Sequence, residues 1–162
     1  DILVKALRGL ADLTWRAVIV GREHDRAHAA DLRNLIAELG LSDRVTLAGQ
    51  VPQEALDQLY AEASLFALAT RYEGYGIVLD EALSWGLPIV SCATGAVPDT
   101  VPTEAGVLTP PDDPEAFSTA LRDVLCDAGL AASMSKASAA SGQKLPGWEE
   151  TARIAGAVLD RL

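Results

Sequence analysis

Clustered positive charge is what this sequence lacks first. It carries 13 Lys and Arg against 23 Asp and Glu, a net charge of −10, and no segment gathers the basic residues into a stripe. Binding nucleic acid through its phosphates needs such a cluster, so nucleic acid is set aside as a partner. An acidic chain can still hold one phosphate locally, through backbone N–H groups and one or two basic residues. Cysteine is scarce as well: Cys92 and Cys126 are the two. They suggest no disulfide framework and match no zinc spacing. They read as reduced, mostly buried thiols of a cytoplasmic protein. Long apolar runs are also missing. Nothing approaches the roughly 20 residues of a transmembrane segment, and no stretch reads as a signal peptide. There is no internal repeat and no long disordered tract. The chain begins at Asp1 without methionine, inside a helical pattern, which reads as a fragment or a trimmed chain.

What is there is enough for one domain over residues 1–162, with 49% hydrophobic residues and room for a sizeable core. Leu3, Leu7 and Leu10 recur at helical spacing, predicting an amphipathic helix over 2–12. Ala17–Val20 is a continuous apolar run before Gly21, as in a strand buried on both faces. Asp25 can cap the next helix and Gly40 can end it. Val45–Ala48 is a short strand, and Pro52 opens a helix at its first turn, with Leu56, Leu59 and Tyr60 facing inward. Leu65–Ala69 is a strand, 76–85 a helix ending at Gly86, and Pro88–Cys92 a strand. Gly95–Pro98 reads as a loop and Val107–Thr109 as a strand. Asp113 caps a helix that Pro114 opens. Residues 129–140, rich in Ala and Ser, read as helix, 142–147 as a linker, and 148–162 as a last helix. Strands and helices alternate, and the strands are uniformly apolar. That pattern predicts an α/β fold: a Rossmann-like parallel sheet with helices on both faces. Ligand crevices in such sheets lie at the carboxyl ends of the strands.

One of those ends carries Glu73-Gly74-Tyr75-Gly76-Ile77-Val78-Leu79-Asp80-Glu81. It reads as a glycine loop running from a strand into a helix. A helix N-terminus binds anions, and its end carries roughly half a positive charge. Two carboxylates beside an anion site repel a phosphate. The natural resolution is a ligand carrying hydroxyls as well as phosphate, since a carboxylate accepts strong charge-assisted hydrogen bonds from hydroxyls.

Several ordered motifs now add up. They run from Ala17–Gly21 through Leu39-Gly40-Leu41-Ser42-Asp43-Arg44-Val45 and Gly49-Gln50-Val51. They continue with Leu59–Ala63, Tyr72–Gly76, Glu81-Ala82-Leu83, Gly86–Val90 and Val107–Pro114. In this series the chain resembles the C-terminal, donor-binding half of family 4 (group 1) glycosyltransferases of the GT-B fold. The resemblance covers nearly the whole chain. It implies a retaining transferase that takes a nucleotide-sugar donor, needs no metal or other cofactor, and passes through an oxocarbenium-like transition state. Glu73 matches the residue that hydrogen-bonds the donor sugar, the catalytic candidate. Glu81 matches the one that accepts from the ribose hydroxyls. The backbone N–H groups of Gly76 and Ile77 match those that hold the distal phosphate. Gly74 and Tyr75 complete the loop, and the backbone around Val51 matches the base-contacting loop.

The resemblance also implies what this chain does without. In the family a first strand, near the middle of the sheet, precedes the helix with which this sequence begins. Its loop usually carries an Arg and a Lys that grip the diphosphate. Either five strands close the gap or a neighbouring molecule fills it, which makes a homo-oligomer through that gap one expectation. The N-terminal acceptor-binding domain is absent too, so the chain alone is expected to be inactive. For the intact enzyme the resemblance leaves peripheral contact with the inner membrane face open.

Blander readings stand beside the sharper ones. Arg22 and Arg71 follow strand ends and read as phosphate contacts or as solvated charges. Tyr75 stacks on a ligand or packs. His24 and His28 have a spacing that suits a metal on one helix face, but no third ligand is evident. Gly95, Ala96 and Val97 form either a small-residue loop near the phosphates or a turn. Trp15, Trp85 and Trp148 read as packing residues. A non-catalytic nucleotide-binding module and a bare interaction scaffold remain the alternatives, because fold alone does not assign function.

Overall fold

The computed structural model describes residues 1–23, 25–147, 152–153 and 156–157. The expected last helix over 148–162, Trp148 and His24 lie outside the described residues, apart from helical turns at 152–153 and 156–157. Elements alternate along the chain: α1 (Ile2–Arg8), β1 (Ala17–Val20), α2 (Arg26–Glu38), β2 (Val45–Gly49), α3 (Gln53–Glu62), β3 (Phe66–Leu68), α4 (Ile77–Ser84), β4 (Ile89–Cys92), α5 (Val97–Thr100), β5 (Gly106–Thr109), α6 (Pro114–Cys126) and α7 (Ala128–Gly142).

The local signals act as the sequence predicts. The Asp25 carboxylate accepts from the Ala27 and His28 N–H groups, and Asp113 accepts from Ala116 N–H behind Pro114, so orphan donors at both helix starts are satisfied. Gly40, at φ 68°, turns the chain out of α2. The first helix stops at Arg8 rather than continuing to residue 12. A further difference is α5, a short helix where a plain loop was expected.

All strand pairs are parallel, but they form two ladders: β1 with β2, and β3–β4–β5 with β4 central. Ala17 faces Val45 in the first ladder, while Phe66 faces Ile89 and Ile89 faces Gly106 in the second. Among the described residues the five strands therefore do not close into one sheet.

Side chains of the three-stranded ladder alternate between two cores, as the pleat requires. Val90 and Cys92 enter one core with α1, α2 and α6, joined at its edge by Ala67 and Val107. Ile89 enters the other with α4 and α5, with Phe66, Leu68 and Leu108 packed against it. That is helix cover on both faces, and every residue of β4 is buried. The two-stranded ladder differs. Ala17, Ile19, Val45 and Leu47 join the first core, but no residue of β1 or β2 joins the second. Val18, on the uncovered face, is 46% exposed, so the expectation of a strand buried on both faces fails at β1. Cys92 is buried as expected, whereas Cys126 is exposed; both are free thiols.

The Ala/Ser-rich α7 is helical because it packs backbone to backbone on the end of α4. Ser135 and Ser138 hydroxyls donate to the Gly86 and Leu87 carbonyls over 2.7 and 2.6 Å. A β-carbon on Gly142 would stand 2.5 Å from the Leu83 carbonyl oxygen. Small side chains permit that approach and hold the C-terminal end of α4 in place.

Candidate functional site

The candidate site is built on the loop from β3 into α4. Leu68 ends the strand and Gly76 begins the helix in the left-handed region, at φ 86° and ψ 41°. A β-carbon there would lie 2.9 Å from Leu79 Cδ1 and 3.4 Å from Glu73 Cγ. Glycine is thus required by conformation and by space. No side chain caps α4. Among the described residues nothing accepts from the N–H groups of Ile77 and Val78, the open first turn of a helix. Ile77 and Tyr75 are each 64% exposed, Tyr72 77% and Val78 37%, so the mouth of this turn is lined by apolar and aromatic surface.

The loop is clamped from one side. Thr94 Oγ1 donates to the Arg71 carbonyl over 3.0 Å. The Ala96 N–H donates to the Glu73 carbonyl over 2.9 Å. Thr100 Oγ1 reaches the Tyr75 carbonyl at 3.3 Å. Three alternate carbonyls of one loop are therefore held by the segment that leads into and forms α5. The sequence marked Gly95–Val97 for a turn or a phosphate loop; their contact with the Glu73 backbone was not legible there.

Glu73 is half-buried and Glu81, on the second turn of α4, is half-buried too. Glu81 has a partner the sequence reading missed: the Tyr60 hydroxyl donates to its Oε2 over 2.9 Å. Burial, then the bond to Glu81 and its charge, hold the Tyr60 hydroxyl well above its ordinary pKa, so it stays a donor. The sequence pattern puts Tyr60 on an inward apolar stripe with Leu56 and Leu59. A buried tyrosine in such a stripe needs a partner for its hydroxyl, and that was the available signal.

Glu73, Gly74, Tyr75, Gly76, Ile77 and Glu81 thus share one loop and helix. Val51 follows β2 in the other ladder, half-buried, and among the described residues no hydrogen bond ties it to that group. Arg71 is engaged elsewhere: its Nε donates to Asp112 Oδ1 over 2.6 Å and its Nη1 lies 3.6 Å from Asp1 Oδ1. Arg22 is exposed. An open cleft of about 560 Å³, lined by Asp1, Lys5, Asp31, Leu35, Glu38 and Arg71 among others, includes neither Glu73 nor Glu81. No helix among the described residues is long and apolar enough to cross a membrane.

The family described as "Glycosyl transferases group 1" matches residues 1–141. A D-inositol 3-phosphate glycosyltransferase from Xylanimonas cellulosilytica is 32% identical over 154 residues, 94% of this chain and 36% of the relative. A GDP-mannose:cellobiosyl-diphosphopolyprenol alpha-mannosyltransferase from Xanthomonas oryzae is 47% identical over 81 residues, 49% of this chain and 21% of the relative. The chain therefore spans well under two thirds of the length of the relatives it matches. Among solved structures, Anabaena HepE in complex with UDP and glucose superposes with a TM-score of 0.88 at 26% identity, over 99% of this chain and 44% of that one. Sucrose-phosphate synthase from Thermosynechococcus elongatus gives 0.85 at 30% identity, over 98% of this chain and 42% of the other. With this family match and these neighbours, the chain belongs to the group 1 glycosyltransferases and has the Rossmann-like α/β fold of a GT-B domain.

Proposed function

We propose that this chain binds a nucleotide-sugar and, within a longer retaining glycosyltransferase, presents it for transfer to an acceptor. The observation that carries this reading is the pair Glu73 and Glu81 flanking an uncapped helix start on a clamped loop. The N–H groups of Gly76 and Ile77 take the distal phosphate, where the helix end stabilises charge as the diphosphate leaves. Glu73 accepts from the sugar hydroxyls and Glu81 from the ribose. Gly74 lets the backbone approach, Tyr75 borders the ligand, and the backbone at Val51 meets the base. HepE, solved in complex with UDP and with UDP-glucose, supports a uridine nucleotide, and the similar GDP-mannose:cellobiosyl-diphosphopolyprenol alpha-mannosyltransferase supports a guanosine one. The base is therefore left to a panel.

On this reading the acceptor is held by a further domain, so the isolated chain binds donor without turning it over. The diphosphate rests on backbone N–H groups rather than on a metal, so chelation leaves binding unchanged. Calorimetry with UDP, GDP and ADP tests the reading, and silence from all three at millimolar concentration would sink it. Glu81→Gln should weaken the nucleotide about tenfold, the worth of one charge-assisted hydrogen bond, and leave pyrophosphate alone. Glu73→Gln should weaken the nucleotide-sugar by a similar factor and hardly touch the bare nucleotide.

A further inference from the structure

Glu81 meets any ligand with one oxygen already engaged. Tyr60 Oη donates to Oε2 over 2.9 Å, and among the described residues no other donor reaches that carboxylate. Tyr60 is 8% exposed, the buried residue of α3. Its ring stacks on Trp85 at 6.1 Å and 10° and tilts against Phe66 at 6.1 Å and 31°. Trp85 lies one turn beyond Glu81, at the end of α4. The ring is thus held between two aromatic neighbours, and its hydroxyl is held on the carboxylate.

We propose that Tyr60 is a positioning residue of the donor site, which pins Glu81 so that its free oxygen, Oε1, faces the vicinal hydroxyls of a ribose. This rests on the reading that Glu81 receives the ribose. Tyr60 is too buried to touch the ligand and acts through Glu81. A half-exposed glutamate has three side-chain torsions to order when it binds. A carboxylate held by a buried donor has already lost that freedom, so less is lost on binding. The bond also leaves Oε2 partly satisfied, which confines a hydroxyl ligand to one edge of the carboxylate. The site is then selective for the diol rather than for the charge of the nucleotide.

The test compares the 162-residue chain with its Tyr60→Phe variant, using UDP (or GDP where UDP does not bind), the matching 2′,3′-dideoxynucleotide and pyrophosphate. Tyr60→Phe should weaken the ribonucleotide about tenfold, about 1.4 kcal/mol, with the other two within twofold of wild type. The ribo-to-dideoxy ratio is the readout that a merely structural role would not move. The double variant with Glu81→Gln should bind no worse than Glu81→Gln alone, because both act on one contact. Trp85→Leu, at a position 44% exposed, frees the tyrosine ring without touching the carboxylate and should lower the same ratio severalfold. It keeps the inference testable if Tyr60→Phe does not fold. A ratio unchanged in every folded variant overturns the inference, as does an equal loss for all three ligands. A wild-type chain that does not distinguish ribo from dideoxy removes the role of Glu81 itself. Discrimination that is lost in Glu81→Gln but kept in Tyr60→Phe removes only the role of Tyr60.

Discussion

Gly95 and Glu73 touch through their backbones: a β-carbon on Gly95 would stand 2.1 Å from the Glu73 carbonyl oxygen and 2.9 Å from its nitrogen. The same glycine sits at φ 53°. Neither the space nor the conformation admits a side chain. Gly95→Ala should therefore push the Glu73 loop away from α5 and break the Ala96-to-Glu73 hydrogen bond. The expected loss of stability is about 1–3 kcal/mol, from overpacking and a left-handed alanine together. Denaturant unfolding measures it, and calorimetry should show a weaker nucleotide-sugar. An alanine variant as stable as the parent would mean that the two loops part without cost.

Arg44 should not be replaceable by lysine. Its guanidinium lies 3.9 Å from the Trp15 ring centroid. It donates to the carbonyls of Trp15 (3.3 Å), Ala11 (3.1 Å) and Leu13. One planar fork thus ties down the segment that leads from α1 into β1. An ammonium is a point charge and cannot meet three such carbonyls in one plane while stacking. Arg44→Lys should cost about 1–2 kcal/mol, read from urea unfolding followed by far-UV circular dichroism. Equal midpoints would rule out this account of the fork.

Acid should act on the link between α6 and the end of α1. Arg122 makes two hydrogen bonds to the Asp12 carboxylate, at 2.8 and 2.7 Å, and one to the Gly9 carbonyl. Those bonds hold the Asp12 pKa down from 3.8 to about 2. A depressed carboxylate binds its proton less readily when folded than when unfolded. Its contribution is therefore complete above pH 3.8 and is lost as pH falls toward about 2. The pair is solvent-exposed, so the effect on stability is small. Carboxylate-carbon NMR should give a midpoint near 2 for Asp12. Asp12→Asn should flatten the acid limb of the stability curve and lower stability slightly at neutral pH, where the pair is fully formed. A normal Asp12 titration contradicts the pairing in solution.

Local signals carried much of the fold. Asp25, Asp113 and Pro114 mark helix starts through contacts within three residues, and such contacts are visible in a one-dimensional string. The glycine loop was legible for the same reason, since Gly76 needs its left-handed conformation whatever surrounds it. Burial was less legible. The apolar run at β1 matched a fully covered strand, yet Val18 is exposed, because cover depends on which helices reach that face.

The sequence by itself determined the order of strands and helices apart from the short α5, the loop with Glu73, and Glu81 on the following helix. Each of those follows from periodicity, capping and turn chemistry, forces that act over a few residues. Folding in three dimensions set the division into two parallel ladders, the Thr94–Thr100 clamp on the loop carbonyls, and the Tyr60–Glu81 bond. These join groups 21 to 25 residues apart in the chain. Their distance is fixed by how crossover helices pack on the strands, and no local pattern encodes that.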